Sequence, residues 1–461
     1  MTKSIFVFLY LLFIINPLLS NTYYVKTDGN NSNNGLSWTT AKSTIAAGIS
    51  LMSPGDILLI KSGTYNEGID PNKSGTKGNP IVIMTDDGNG NPGIVTLTGT
   101  VSSSIWGGGS ASIVLDNNDY IEINGRQPDG FVCTVPTSCS WGALAYDPGD
   151  NSNSVSLKNI RFNGSSLNGS APENHVVTIY GYNDPEVAYC TFNIPSGTNF
   201  VCEIGSDGGA SSGPSPTSGG KVHHNVFLTG STDQGYSVIS ILRHDDTEVY
   251  NNYIQNISGT PAVLRARQCH GNKFYNNVIW INSGRTYMCV FEYRGYSTGS
   301  GYADRNEFYN NTVIVEGSIS ESVVLISDYA DDNKTFNNLI IGNIGTFVGG
   351  WTYLGNSNEI YNNTVTGSVT RWFENSSCQN TFDVIKDNTS STGTGFITLS
   401  GSRPSPYWDL SADKNGASIS SLQFDFNDQL RNNPPDVGAF EYGDIVTNPG
   451  PSKPSGVVVN P

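Results

Sequence analysis

The chain has 461 residues, only 14% of them charged, and its 40 Asp and Glu against 24 Lys and Arg leave a formal net charge of −16. This acidic balance excludes broad nucleic-acid binding, which needs basic stripes, while leaving open an anionic polysaccharide held in a locally basic groove or through a cation. The 52 glycines, with frequent Asn and Ser, disfavour long helices and suit many short strands joined by tight turns.

In chain order, Lys3 followed by the apolar run Ile5 to Leu19 and the small residue Ser20 predicts a secretory signal peptide over 1–20. The run is short for a membrane span and no comparable run follows, so a secreted protein, extracellular or at the cell surface, is expected. Residues 44–52 (TIAAGISLM) predict a helix ahead of the first strands, 57–60 and 81–84, placed to cap an edge that would otherwise template aggregation. Cys133 and Cys139 are spaced to close a loop. Cys190, Cys202, Cys269 and Cys289 sit in apolar strand patterns and read as small buried hydrophobes. With seven cysteines, at least one thiol stays unpaired.

Internal repetition decides the fold class. The segments VHHNVF (222–227), EVYNNYI (248–254), KFYNNVI (273–279), EFYNNTVI (307–314), KTFNNLII (334–341) and EIYNNTV (359–365) share one pattern: polar residue, apolar pair, Asn-Asn or His-Asn, apolar run. Asn252, Asn277, Asn311, Asn338 and Asn363 recur at steps of 25, 34, 27 and 25 residues. A constant strand with a variable insertion is the signature of a solenoid coil. Stacked coils bring equivalent Asn side chains about 4.8 Å apart, close enough for a hydrogen-bonded ladder, and Asn tolerates the left-handed backbone of a tight corner. The expected fold is therefore all-β, a right-handed parallel β-helix over 21–445 with an N-terminal helical cap. The Pro-rich stretch 446–461 reads as a linker.

Aligning a second strand in each coil by its apolar residues builds two outward columns. One contains Tyr180, Glu203, Arg243, Arg265, Glu292 and Ile326. The other contains Tyr182, Gly205, Asp245, Arg267, Arg294 and Asp328. Four arginines here form a basic strip on an acidic protein, suited to an anionic sugar chain, with Tyr180 and Tyr182 for ring contact and Arg294 for substrate binding. Cross-strand ion pairing alone, of about 0.2–1 kcal/mol per pair, is the competing account of the same pattern.

The opening YYVKTDGNNSNNGLSW (23–38), TIAAGI (44–49) and PGDILLIKSGTYNEGI (54–69), with the closing FNDQLRNNPPDVGAFEY (426–442), resembles secreted parallel β-helix proteins of the pectate-lyase-like superfamily. The resemblance implies a protein acting on polysaccharide, expected as a monomer, with β-elimination on a uronic-acid polymer as the first activity to test. It implies that Arg265 or Arg267, with Arg243, binds the substrate carboxylate or assists proton transfer. It also implies that Glu203, Glu292 and Asp245 hold Ca²⁺, a hard ion preferring oxygen ligands. The chain departs from such lyases in lacking a Lys in either column. Lys273 lies near a corner, and Arg, with a pKa above about 12, is a poor base. His244 and His270 are alternatives for that role, though histidines at coil corners read first as structural. Two other functions stand beside the lyase. A glycoside hydrolase would draw on Asp245-Asp246 or Asp331-Asp332. A non-catalytic glycan-binding or adhesin-like surface protein needs no catalytic residue.

Overall fold

The computed structural model describes residues 20–104, 108–164, 175–193, 200–206, 217–228, 237–255, 262–282, 286–295, 302–327, 329–350, 355–380, 382–386, 388–391, 412–415, 426, 436–437 and 439. The run expected as a signal peptide and the Pro-rich tail lie outside them. Among the described residues, three long sheets hold 13, 12 and 11 strands. The chain visits the sheets in rotation. One coil runs through Glu248–Tyr250 in the first sheet, Tyr253–Gln255 in the second and Ala262–Arg267 in the third, and the next coil begins at Lys273–Tyr275 in the first. Successive coils pair in parallel. At the N-terminal end of the third sheet, Val101–Ser103 pairs antiparallel with Gly109–Val114. This is the expected right-handed parallel β-helix.

Inward columns form one continuous core. Val187, Val222, Val249, Phe274 and Phe308 stack in register in the first sheet, all fully buried. Phe192 lies flat on Phe227 in the second, at 4.5 Å between centroids. Third-sheet strands break strict alternation. Val176 with Val177, Val263 with Leu264 and Val323 with Val324 are consecutive residues that all enter the core. All seven cysteines are buried free thiols, so the expected Cys133–Cys139 loop closure is absent.

The Asn-Asn corners build the expected ladder. The first Asn of each pair takes a left-handed conformation, with φ of 53° at Asn251, 54° at Asn276, 51° at Asn310, 54° at Asn337 and 53° at Asn362. The second Asn is buried between the first and second sheets. Asn311 shows the arrangement. Its Nδ2 donates to Asn338 Oδ1 (3.0 Å) and Phe274 O (3.0 Å), and its Oδ1 accepts from Asn277 N (3.0 Å) and Asn277 Nδ2 (2.9 Å). The chain of amides runs Asn225, Asn252, Asn277, Asn311, Asn338, Asn363, Asn388. A second ladder, through Asn272, Asn306, Asn333 and Asn358, closes the corner between the third and first sheets. Outside the first sheet, the polar residue heading each repeat alternates in sign along the register: Glu186, Lys221, Glu248, Lys273, Glu307, Lys334, Glu359. Beside it the rings of Tyr250, Tyr275, Tyr309, Phe336 and Tyr361 stack at 4.9–5.1 Å.

The nine-residue helix expected over 44–52 is five residues long, Ile45–Ile49. Thr44 caps it by accepting from Ala47 N at 3.2 Å, and the Glu67 carboxylate accepts from Ile45 N and Ala46 N. Its Gly48 lies against Val25 and Leu58 on the first two strands, a contact that does not by itself establish a cap. From the closing segment, Phe426 and Ala439 join a cluster with Tyr253, Val278, Trp280 and Ile314 on the second sheet, and Ala439 N donates to Thr312 Oγ1 at 2.9 Å.

Asn311→Ala removes four hydrogen bonds and strands buried partners in both neighbouring coils. A loss of about 2–4 kcal/mol is expected in denaturant unfolding. Asn362→Gly, at a left-handed position, is expected to be nearly neutral, whereas Asn362→Val should cost about 1–2 kcal/mol.

Candidate functional site

Two outward columns run along the third sheet. One comprises Leu144, Thr178, Glu203, Ser240, Arg265, Glu292, Leu325 and Gly349. The other comprises Tyr146, Tyr180, Gly205, Leu242, Arg267, Arg294 and Ser327. Together they make a strip whose chemistry changes along the coil axis.

The N-terminal end is apolar and aromatic, with Val114, Trp141, Leu144, Tyr146 and Tyr180 in one cluster against Leu242. Asp116 follows the strand Gly109–Val114 at this end. Its Oδ2 accepts from Ser103 Oγ at 2.6 Å, and its Oδ1 is buried without a partner. Burial pushes its pKa up to about 6, with Asp70 adding to the rise against the Ser103 bond. One coil on, Glu203 is buried and accepts from Tyr180 Oη (2.6 Å) and Ser240 Oγ (3.0 Å), with His175 Nδ1 at 3.4 Å.

Next come the arginines. Arg265 is fully buried, its Nε ion-paired with the equally buried Glu292 on the next coil. Both Arg265 Nη atoms lack a hydrogen-bond partner. Arg294 Nη1 lies 3.5 Å from the other Glu292 oxygen. Arg267 and Arg294 are register neighbours and only half-buried, so two like charges stand side by side at the surface.

At the C-terminal end the strip opens into a pocket of about 320 Å³ lined by Ser320, Glu321, Thr346, Gly349, Gly350, Arg371 and Glu374.

The structure brings Arg265, Arg267, Glu292 and Arg294 together, with Tyr180 and Glu203 nearby, and corrects the remaining expectations. Arg243 does not share a column with Arg265, because Ser240 stands there. It occupies the corner after the strand, at φ 51°, with its Nε donating to Gln268 Oε1 at 3.2 Å. Tyr182 points inward, fully buried, with its hydroxyl donating to Leu115 O, so it cannot meet a sugar ring. Asp245 lies in the short strand His244–Asp245 and accepts from His270 N (2.8 Å) and Nδ1 (3.1 Å). Glu203 and Glu292 stand three coils apart, about 14 Å by strand spacing, so the three carboxylates expected to hold Ca²⁺ do not converge. Among the described residues no group of three His, Cys, Asp or Glu is placed to hold a metal. His244 is buried against Thr247 Oγ1 and Tyr182 O, and burial pulls its pKa down to about 4. Asp246 and Asp332, expected as hydrolase acids, sit at left-handed corners, both at φ 54°.

The misplacements share a cause. Two consecutive inward residues at the start of each third-sheet strand, and Leu242 facing outward onto the Tyr180 cluster, break the period-2 pattern used for alignment. The alignment also slips by one between the strands that carry Leu264 and Val324. Val324 stands in the column of Leu264, so Leu325 rather than Ile326 follows Glu292, and Asp328 lies outside the described residues. His175, Ser240, Asp116, Glu321, Arg371 and Glu374 were not anticipated. Only correct register across loops of unequal length would have revealed them.

Fold and strip together define a parallel β-helix with a mixed aromatic and cationic outer face. No protein-family model and no curated protein matches the sequence. Among solved structures it is similar to pectate lyase Pel9A, with 15% identity over 92% of this chain and 96% of that one at a TM-score of 0.47. It is also similar to the alginate lyase from Paenibacillus sp. str. FPU-7, at 18% identity over 76% and 99% with a TM-score of 0.43. The GH136 lacto-N-biosidase from Eubacterium ramulus matches at 14% identity over 80% and 68%, with a TM-score of 0.49. Likeness at this level carries nothing about activity.

Two outcomes follow from the strip. Arg265→Ala leaves Glu292 charged in the interior and should destabilise the fold by about 3–5 kcal/mol in denaturant unfolding. Asp116, with its pKa raised on folding, contributes stability that is full below its unfolded pKa and lost as pH rises through about 6. Asp116→Asn should therefore match the parent chain in melting temperature below pH 4, and exceed it in stability by about 1–2 kcal/mol at pH 8, after allowance for solvent screening.

Proposed function

We propose that this chain is a polysaccharide-acting β-helix protein that holds an anionic, uronate-containing polymer along the outer face of the third sheet and cleaves it by β-elimination. The observation that carries the reading is the concentration of Arg243, Arg265, Arg267 and Arg294 on three successive coils of a protein with net charge −16. Arg267 and Arg294 are the half-buried pair in register, and they pair bidentately with the substrate carboxylate. Neutralising that carboxylate stabilises the enolate formed when a base from solvent takes the neighbouring proton. The enolate then expels the glycosidic oxygen, which leaves as an alcohol protonated by water, and a C=C bond forms in the uronate left behind. Arg265, ion-paired with Glu292, anchors the two strands that carry Arg267 and Arg294. Tyr180, in the aromatic cluster, borders the bound sugars. Ca²⁺ belongs in the test because a cation can share the neutralising role.

A specific observation favours a second reading, non-catalytic glycan binding. The described carboxylates in the arginine strip, Glu203 and Glu292, are both buried and committed to partners, so neither is exposed there as a base.

The test incubates purified chain with alginate, pectate and chondroitin, with and without Ca²⁺, and follows the ultraviolet absorbance of unsaturated uronate products. The lyase reading expects a rise with at least one polymer and a fall in kcat/KM of about 10²–10³ in Arg267→Ala, with the melting temperature retained. Arg265→Ala is unsuitable here, since it removes a buried ion pair. Retained polymer binding with no absorbance change would move the assignment to the binding reading.

A further inference from the structure

We infer that His223 and His224 form an acid-sensitive latch: a hydrogen-bond relay that needs both rings neutral ties one coil of the solenoid to its neighbours on either side. The coil runs through Lys221–His223, Val226–Leu228 and Ser237–Leu242, and it places Ser240 and Leu242 in the outward columns of the third sheet. The latch operates whatever the strip binds. It sits where the repeat changes. Later coils carry an aromatic residue and an Asn before the ladder Asn, as at Tyr250-Asn251, Tyr275-Asn276 and Tyr309-Asn310, whereas this coil carries His223-His224 before Asn225.

The rings keep the places of the residues they replace. His223 pairs in register with Tyr250 and lies flat on it at 4.8 Å between centroids. His224 takes the left-handed corner, at φ 54°, and stacks on Tyr189 of the preceding coil at 5.0 Å. Three contacts join the rings into one line across three coils. His223 Nε2 lies 3.0 Å from Glu186 Oε1, the two Nδ1 atoms lie 2.8 Å apart, and Asn251 Nδ2 lies 3.1 Å from His224 Nε2. Glu186 and Asn251 belong to the coils on either side. Fixing the ends of the line fixes its protons. A carboxylate accepts, so His223 carries hydrogen on Nε2 and leaves Nδ1 as acceptor. An amide nitrogen donates, so His224 accepts at Nε2 and carries hydrogen on Nδ1. Each neutral ring then donates once and accepts once, and each contact holds a single hydrogen.

A further proton disrupts this line. On His223 Nδ1 it meets the hydrogen of His224 Nδ1, and on His224 Nε2 it meets the amide hydrogens of Asn251. The line can keep it only if the Asn251 amide turns over, against the direction in which Asn337 Nδ2 donates to Asn310 Oδ1 in the same corner column. The surrounding charges offset this only in part. Glu186 attracts a proton to His223, but its other oxygen is held by Lys158 Nζ at 2.8 Å and Ser156 Oγ at 3.0 Å. Lys221, between Glu186 and Glu248 in register, repels one. Burial pulls the pKa of His223 down, against the Glu186 bond and with His224 and Lys221 adding to the fall. A folded pKa below the unfolded value gives stability that is present above about pH 6.5 and lost as pH falls.

Native-state hydrogen exchange of the full chain, read by mass spectrometry and corrected for the intrinsic pH dependence of exchange, tests the latch. Two segments are compared, 221–228 in the latched coil and 273–281 two coils further on. Between pH 7.5 and pH 5, protection of 221–228 is expected to fall about tenfold more than that of 273–281, the weight of about one proton taken up on opening. In the His223→Tyr, His224→Asn double variant, which installs the pair found in later coils, the two segments should fall alike. His224→Asn alone serves if the double variant does not fold. His175, His244 and His270 are unchanged in either variant, so their contributions cancel in the comparison. Equal falls in the parent chain, or a difference that survives the substitutions, overturns the inference.

Discussion

A buried side-chain amide repeated once per coil sets the geometry of this molecule. A ladder Asn offers two donors and two acceptor sites, and at Asn311 all four are filled by the coils on either side. An amide so committed tolerates neither a change of coil spacing nor a shift of register. The left-handed residue before it turns the chain so that the amide points inward. With a second ladder at the opposite corner, the first sheet is clamped along both edges. The corner between the second and third sheets carries no such ladder among the described residues. The strip of aromatic and charged side chains lies on the third sheet, one of the two that meet at this corner.

Charge on that strip is arranged in depth. Arg265 and Glu292 neutralise one another at full burial, an arrangement costly to break and of little net benefit to stability. Above them Arg267 and Arg294 keep charge near solvent. Glu203, surrounded by Tyr180, Ser240 and His175, is a satisfied buried carboxylate that shapes the face without charging its surface. The basic character of the site thus comes from a few half-buried groups on a molecule whose overall field is negative.

What was legible in the sequence was whatever the ladder makes periodic. Asn-Asn corners, coil count and apolar core follow directly from the repeats, because one buried amide per coil leaves a mark at every step. The second ladder left a mark as well, an Asn immediately before the polar residue of each repeat at 272, 306, 333 and 358. The site was legible only in composition. Arg265, Arg267, Glu292 and Arg294 fall together because their strands align without ambiguity. Arg243, Tyr182 and Asp245 do not, because paired inward residues and an outward Leu242 defeat a period-2 alignment. Glu374 lies beyond the last of the repeats, at 359–365, where little periodic signal remains.

The alternation of Glu and Lys from Glu186 to Glu359 has an evolutionary corollary. Removing or duplicating one coil would set two like charges side by side, at a cost of about 0.2–1 kcal/mol, whereas gain or loss of two coils keeps every neighbour opposite in sign. The charge alternation thus imposes a parity rule on how such a solenoid grows. Descendants differing by an even number of coils inherit an intact surface, and those differing by an odd number carry a seam that marks where recombination occurred.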